Sequence, residues 1–122
     1  MKVITLANLA ESTPMEVFQF IEHHLLTQNA KSMGYESGIC YYHGDYDLKC
    51  AAGCLISDDE YSPRFEGNNW NTLVQKMLVP AAHNELIREL QYIHDNAPVK
   101  NWRHHLDLLR KDIEEGRFNE SI

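Results

Sequence analysis

The chain has 122 residues, of which 43% are hydrophobic and 24% are charged. This length suits one hydrophobic core and excludes a second independently folded domain, so residues 1–122 are expected to form a single domain. Eleven Lys and Arg residues against eighteen Asp and Glu residues give a formal net charge of -7. Because the basic residues are scattered along the chain, general binding to nucleic acid is not expected.

The N-terminal residues and the cysteine content bear on the cellular compartment. Residues 1–10 lack the uninterrupted apolar stretch of a signal peptide, and no apolar run reaches the roughly eighteen residues that a membrane span needs. The three cysteines are an odd number, which does not suit the fully paired framework of a small secreted protein. The sequence therefore predicts a cytoplasmic protein with reduced thiols and no membrane association.

A helix start is recognisable at Thr13. Thr13 is a suitable N-cap, Pro14 suits the first helical position, and Glu16 completes a capping box. Apolar side chains follow at helical spacing, at Val17, Phe18, Ile21 and Leu25. The pattern predicts a helix over residues 14–28 with one buried stripe.

A β-hairpin is expected next. Residues 38–43 have aromatic and β-branched character, and Gly44-Asp45 offers a turn before residues 47–51. The hairpin would carry the cysteines on its two strands.

Two short helices are expected after the hairpin. Ser57 and Glu60 repeat the capping-box pattern before the first of them. Asn71 or Thr72 is the expected cap of the second, which ends at Pro80.

The C-terminal third contains two regular amphipathic stripes. Leu86, Leu90 and Ile93 predict a helix over residues 81–95, whereas Val99, Trp102, Leu106, Leu109 and Ile113 predict another that Gly116 closes. The two helices are expected to pack antiparallel and to anchor the core, with residues 117–122 as a frayed tail. Taken together, the elements predict an α+β fold, a helix-rich single domain with a small β-hairpin packed on three or more helices.

Four residues of metal-ligand type lie within residues 40–54. They are Cys40, His43, Cys50 and Cys54, a set that suits tetrahedral zinc in number and type. Their spacing lacks the Cys-x2-Cys knuckle, so no metal is favoured and no cofactor is expected. The simpler interpretation is that reduced cysteines fill a tight space in the core. A hairpin would also set Cys40 opposite Cys50 as a candidate redox pair, although direct cross-strand neighbours make strained disulfides.

The same cysteines are candidate nucleophiles. Cys50 or Cys40 could act with His94 as the base, while a carboxylate such as Asp95 or Glu66 orients the imidazole. Adjacent residues of a helix point about 100° apart, so Asp95 is expected to reach His94 only if the helix has already ended. The simpler interpretation of His94 is a C-terminal cap that contacts a polar loop.

Aromatic and polar side chains crowd the middle third of the chain. Those considered for binding are Tyr41, Tyr42, Tyr46, Tyr61, Arg64, Phe65, Glu66 and Trp70. Such a mixture in a loop-rich segment is typical of a recognition surface for a protein or a stacked base, and some of the rings are expected in the core. Because loops carry function when helices supply the scaffold, residues 41–70 are the predicted binding site.

Several stretches between residues 18 and 109 carry a resemblance to a known family. They are His24-Leu25-Leu26-Thr27-Gln28, Cys40-Tyr41-Tyr42, Lys49-Cys50-Ala51-Ala52-Gly53-Cys54-Leu55-Ile56, Asp58-Asp59-Glu60-Tyr61, Glu66-Gly67, Leu90-Gln91-Tyr92-Ile93-His94-Asp95 and Trp102. In these stretches the chain resembles a family of small, functionally uncharacterised proteins encoded by tailed bacteriophages and prophages. It departs from the family pattern at His43, where an Arg is typical, and at Cys54, where the residue varies. The departures leave Cys40 and Cys50 as the cysteine pair of interest.

The resemblance implies a biological setting rather than a mechanism. By analogy, we expect a phage-encoded accessory protein that binds and modulates a bacterial host factor, in an anti-defence or host-takeover role, without catalysis. Two alternatives stay open: a small enzyme that uses Cys50 or Cys40 with His94, and a protein that sequesters a nucleotide signal by stacking on tyrosines and holding phosphate with Arg64. The expected partner is a bacterial protein or a small nucleotide, and a homodimer is also open.

Overall fold

In the computed structural model, which describes residues 1–33 and 40–119, α-helices supply the framework. The helices are α1 (Pro14–Gln28), α2 (Trp70–Gln75), α3 (Asn84–Asn96) and α4 (Trp102–Glu114). Short 3-10 turns lie at Leu9–Glu11, Asp45–Asp47, Gly53–Leu55, Pro63–Phe65 and Val99–Asn101. The helix α1 packs against α3 and α4, while α2 packs against α3.

The predicted β-hairpin is wrong, and the fold is all-α rather than α+β. Within the described ranges the backbone forms no β-strand, and only an isolated antiparallel bridge joins Met33 to Cys40. Residues 38 and 39, where the hairpin was expected to begin, lie outside these ranges. Past Cys40 the chain turns through Asp45–Asp47, where Tyr46 and Asp47 both adopt left-handed backbone conformations.

The reason is that other groups bond to the backbone that a hairpin would have paired. The Glu66 carboxylate accepts the N–H groups of Tyr42 and His43, at 2.9 and 3.1 Å. The N–H of Tyr41 donates to the Ser32 carbonyl at 2.9 Å. With these donors satisfied from outside, aromatic residues of high β-propensity sit in an irregular segment.

The predicted helix over residues 14–28 is confirmed. The Thr13 side chain accepts the N–H of Glu16, and the Glu16 carboxylate accepts the N–H of Thr13, which completes the capping box. The helix ends at Asn29, which adopts the left-handed conformation with φ 53°. Its buried residues are Pro14, Val17, Phe18, Ile21 and Leu25.

The two C-terminal helices are also confirmed, with different ends. The helix α3 begins at Asn84 rather than 81, because the chain still turns at His83, which has φ 61°. The helix α4 follows directly on the 3-10 turn Val99–Asn101, and Gly116 closes it with φ 91°. Trp102, the largest fully buried side chain, lies at the start of α4 in the core that α1 and α3 share.

The described part of the predicted frayed tail is packed. Phe118 is fully buried, and the Arg117 guanidinium lies over its ring, 4.6 Å from the centroid. Arg117 also forms ion pairs with the carboxylates of Glu85, Glu89 and Asp112. Burial of the Phe118 ring therefore anchors residues 117–119 to the helices, whereas residues 120–122 lie outside the described ranges.

The capping-box pattern at Ser57 does not start a helix. The Glu60 carboxylate accepts the N–H of Ser57 as expected, but it also accepts the N–H groups of Leu6 and Ala7, each at 3.0 Å. Residues 57–61 therefore form a turn, and the Glu60 carboxylate holds the N-terminal segment through Leu6 and Ala7. Similarly, the cap of α2 is Asn69, whose side chain accepts the N–H of Thr72, and not Asn71 or Thr72.

No helix within residues 1–33 and 40–119 combines the length and the hydrophobicity that crossing a bilayer needs.

Candidate functional site

A cleft of about 480 Å³ lies between the turn that precedes α2 and the C-terminal half of α3. Its lining residues are Met33, Cys40, Tyr42, Gly67, Asn68, Asn69, Trp70, Gln91, Asp95 and Asn96. A neighbouring depression shares Asn69, Trp70, Gln91, Asp95 and Asn96 and adds Asn71, Glu85, Arg88, Glu89 and Tyr92. Because the cleft and this extension share five lining residues, they are described together as one groove, with both polar side chains and aromatic rings in its walls.

One wall of the cleft is held by Tyr42 and the turn at residues 67–70. The Tyr42 hydroxyl donates to the Asn68 carbonyl at 2.5 Å, and its ring meets Trp70 edge to face, with centroids 6.2 Å apart. Gly67 allows the turn because its φ is 80°, a conformation that L side chains rarely adopt. Asn69 follows the turn and caps α2 with its side chain. Asn69 is exposed and lies at the rim of the cleft.

The opposite wall is organised by Gln91 of α3. The Gln91 carbonyl oxygen accepts the N–H of Ala52 at 2.9 Å. Its amide nitrogen donates to the Asp95 carboxylate at 2.8 Å and to the Cys40 sulfur at 3.2 Å. One side chain therefore ties α3 to both cysteine-bearing segments.

His94 lies behind this wall and is fully buried. The Ser32 N–H donates to its Nε2 at 3.0 Å, so Nε2 is unprotonated and the ring proton is on Nδ1. Nδ1 then donates to the Asp95 carboxylate, 2.7 Å away. The ring also stacks on Trp102, with centroids 5.6 Å apart.

The expectation that Asp95 reaches His94 only beyond the helix end is wrong. Both residues belong to α3, which continues to Asn96. Rotation about the side-chain torsions of His94 and Asp95 brings the two groups together despite the angle between their Cα–Cβ bonds. Because both ring nitrogens are occupied, His94 has no lone pair directed at a thiol.

The cysteines differ in accessibility. Burial raises the pKa of the fully buried Cys50 thiol well above its usual range, and the neighbouring Cys40 thiol adds to this effect. Burial also raises the pKa of the Cys54 thiol, which donates to the Ala51 carbonyl at 3.1 Å. Cys40 is partly exposed and lines the cleft.

The four candidate metal ligands do not converge. His43 stacks on Tyr61 with ring centroids 4.2 Å apart, and its Nε2 donates to the Ile56 carbonyl at 2.8 Å. Cys54 is engaged with Ala51, as described above. Among residues 1–33 and 40–119, no group of three or more His, Cys, Asp and Glu side chains is arranged to hold a metal ion.

Three of the residues considered for binding are buried, and the carboxylate of a fourth, Glu66, is occupied by hydrogen bonds within the protein. Tyr42, Phe65 and Trp70 belong to the core, and of these Tyr42 and Trp70 also line the cleft. The Glu66 carboxylate accepts the Tyr61 hydroxyl at 2.6 Å, besides the two backbone N–H groups given above. Burial, and to a smaller extent the hydrogen bond with Glu66, raises the pKa of Tyr61 to about 12.

The remaining candidates lie away from the cleft. Tyr46 is 95% exposed and borders a different depression, beside His23 and Lys49. Arg64 is exposed and Tyr41 is half-buried, and neither lines the cleft or its extension. The structure therefore does not gather the predicted set on one surface.

Gln91, Tyr92 and Asn96 line the groove but were not predicted as site residues from the sequence. One signal was present for Gln91: it precedes His94 by three positions and Asp95 by four, which places the three side chains on one helix face. Asn68 and Asn69, in the turn before α2, carried no such signal in the sequence. They are distant from α3 along the chain and lie beside it only in the folded protein.

No protein-family model matches this chain, and neither a curated protein nor a solved structure matches it.

Proposed function

We propose that this chain is a non-catalytic, cytoplasmic binding protein, encoded by a phage or prophage, that engages a bacterial host protein through the cleft and its extension. The phage setting follows from the resemblance described above. The observation that carries the proposal of a protein partner is the lining of the groove, which combines side-chain amides, aromatic rings and three carboxylates.

Amides and aromatic rings are the groups with which proteins recognise other proteins. Asn69 caps α2 with its oxygen and Asn96 donates its NH₂ group to the Tyr92 carbonyl. Among the described residues, the Asn69 NH₂ group and the Asn96 oxygen have no other bond, so they can pair with the main chain of a bound segment. Tyr92, which is 68% exposed, offers a large apolar area with few torsions to order.

The charge of the groove favours a protein over a nucleotide. Of the described residues that line it, only Arg88 is basic, and Glu85, Glu89 and Asp95 accompany it. A phosphate would meet three carboxylates there and gain one guanidinium. Arg64, the side chain considered for phosphate, does not line the groove.

The positions of the thiols and of His94 also support binding over catalysis. A thiol nucleophile needs a base or a cation that lowers its pKa. Burial raises the pKa of the Cys50 thiol, and His94 is bonded through both nitrogens. The side chain next to the Cys40 sulfur is the Gln91 amide, which can donate a hydrogen bond but cannot accept a proton from the thiol.

The test is affinity capture from bacterial lysate with three immobilised proteins: wild type, Tyr92→Ala in the groove and Tyr46→Ala outside it. Both tyrosines are exposed, so both variants should fold, and they remove the same side chain from two surfaces. We expect a host protein that wild type and Tyr46→Ala retain and that Tyr92→Ala loses. With the purified partner, Tyr92→Ala should weaken the Kd by about tenfold or more.

Equal capture by both variants, or loss with Tyr46→Ala alone, would contradict the groove as the binding surface. Consumption of a small molecule by the wild-type protein in the same lysate, lost in Cys40→Ala, would replace binding with catalysis.

A further inference from the structure

A small apolar depression lies between the exposed sides of α3 and α4. Its volume is about 220 Å³, and its apolar lining consists of Tyr92 and Ile93 from α3 and Leu108 and Leu109 from α4. Small-molecule pockets usually begin at roughly 300 Å³. The depression therefore suits one anchoring side chain of a larger partner better than a free small molecule.

Packing of the core does not account for Leu108, which is 53% exposed. It lies outside the buried stripe of α4, which consists of Trp102, Leu106, Leu109 and Ile113. A single exposed leucine is ordinary on a protein surface. Here, however, a second exposed apolar side chain, Tyr92, borders the same depression from the other helix. Exposed apolar side chains that share one concavity are typical of a docking surface.

The rim of the depression is negatively charged. Glu89 and Asp112 line it, and the guanidinium of Arg117 pairs with both. Arg117 pairs with Glu85 as well, so three carboxylates share one guanidinium. In the described part of the chain, His105 is the one other polar side chain in the lining. The uncompensated negative charge favours Lys and Arg on a bound segment and disfavours Asp and Glu.

The depression adjoins the groove. Glu89 and Tyr92 line both the depression and the extension of the cleft. A segment bound in the groove can therefore cross Tyr92 and reach Leu108. Arg88 lines the extension but not the depression, so a basic segment meets less opposing charge at the α4 end.

We propose that the bound segment of the host protein is basic, and that it places one large apolar side chain between Tyr92 and Leu108 while its Lys or Arg side chains pair with the acidic rim. The inference rests on the proposed function and names the chemistry of the partner. Arg117 is not displaced, because the carboxylates of the rim outnumber its single charge.

The probe is a library of random short peptides, displayed on ribosomes and selected against the immobilised full chain. We expect the retained peptides to carry a net positive charge and to share a Leu, Ile, Met or Phe flanked by Lys or Arg. One retained peptide is then synthesised, and fluorescence anisotropy gives its Kd for each variant. Added salt should weaken its binding, because salt screens the charges of the rim.

Two exposed aliphatic side chains test the apolar contact. Leu108→Ala should weaken the Kd of the peptide by about tenfold or more. Met77→Ala is the matched control and should leave the Kd unchanged, since Met77 is 90% exposed and lies beyond the end of α2, outside the groove and the depression. Because both positions are exposed, both variants should fold.

Charge reversal tests the acidic rim. Glu85 shares Arg117 with the rim but does not line the depression, so Glu85→Lys changes the charge there and leaves the apolar lining intact. It should weaken the Kd and reduce the dependence on salt. The control Asp59→Lys makes the same change in net charge at an exposed position that lines neither surface, and its effect should be smaller.

The inference is overturned if no peptide is retained, or if the retained peptides are neutral or acidic. Equal Kd values for Leu108→Ala and Met77→Ala, or for Glu85→Lys and Asp59→Lys, would also overturn it.

The capture from lysate decides the proposed function separately. A host protein that depends on Tyr92 but binds Leu108→Ala as tightly as wild type would leave the groove as the binding surface and contradict this inference alone. If no host protein depends on Tyr92, the proposed function itself fails.

Discussion

The imidazole of His94 and the carboxylate of Asp95, neighbours in the chain, are joined by a hydrogen bond of 2.7 Å within the last turns of α3. The bond fixes the proton of His94 on Nδ1 and leaves Nε2 to accept the Ser32 N–H. It also sets the Asp95 carboxylate where Gln91 can bond to it. The pair therefore orders one wall of the cleft from inside the protein.

Replacing His94 tests this role. His94→Ala should lower the free energy of unfolding by about 3 kcal/mol, because it leaves the buried Ser32 N–H without an acceptor and a cavity against Trp102. The measurement is a urea titration. His104→Ala, at an exposed position of α4, is the control and should change stability by less than about 0.5 kcal/mol. Equal stability of both variants would show that the buried ring is not structural.

Glu66 should stabilise the irregular segment that replaces the expected hairpin. Glu66→Gln keeps the size of the side chain but presents an NH₂ group where N–H and O–H donors converge, so we expect a loss of about 2 kcal/mol. The exposed Glu115→Gln is the matched control and should be close to neutral. A neutral Glu66→Gln in the same titration would mean that water replaces these bonds at no cost.

Trp102 should be the most costly single truncation. The ring is fully buried, and its Nε1–H donates to the Ala97 carbonyl at 3.1 Å. Trp102→Ala should therefore cost about 3 to 5 kcal/mol of unfolding free energy, through a cavity and an unpaired carbonyl. Leu108→Ala, on the exposed side of the same helix, provides the comparison. A loss below about 1 kcal/mol for Trp102→Ala would contradict the described core.

The helices could be predicted from local pattern, whereas the cleft could not. The capping box at Thr13 and the stripe containing Trp102 each depend on residues within one helix, so spacing alone located α1 and α4. The hairpin was wrongly predicted because β-propensity does not reveal that Glu66, more than twenty positions away, bonds to the backbone of Tyr42. Likewise, Gln91 meets Cys40 only after the chain has folded.

Stability should fall as the pH drops below about 6.5, in part because of His83. Burial lowers the pKa of the His83 imidazole, against the opposing effect of its 2.7 Å bond to the Ser12 carbonyl. The unfolded chain therefore binds a proton near pH 6.5 that the folded chain still excludes, so the stabilisation is complete above that pH and is lost as the pH falls through the lowered pKa.

The check is a comparison of urea titrations at pH 7.5 and pH 5.5. His83→Gln should lose less stability than the wild type between the two values, because glutamine does not titrate. Stability of His83→Gln should still depend on pH to some extent, because burial also lowers the pKa of His24. An unchanged difference between the two pH values in His83→Gln would refute the assignment to His83.

The most direct test of the binding account is amide hydrogen exchange of the protein, free and in complex with the host protein that affinity capture identifies. The account predicts slower exchange on binding in residues 67–75 and in α3, with residues 44–49 around Tyr46 unchanged. Slower exchange confined to residues 44–49, with the groove unaffected, would contradict it.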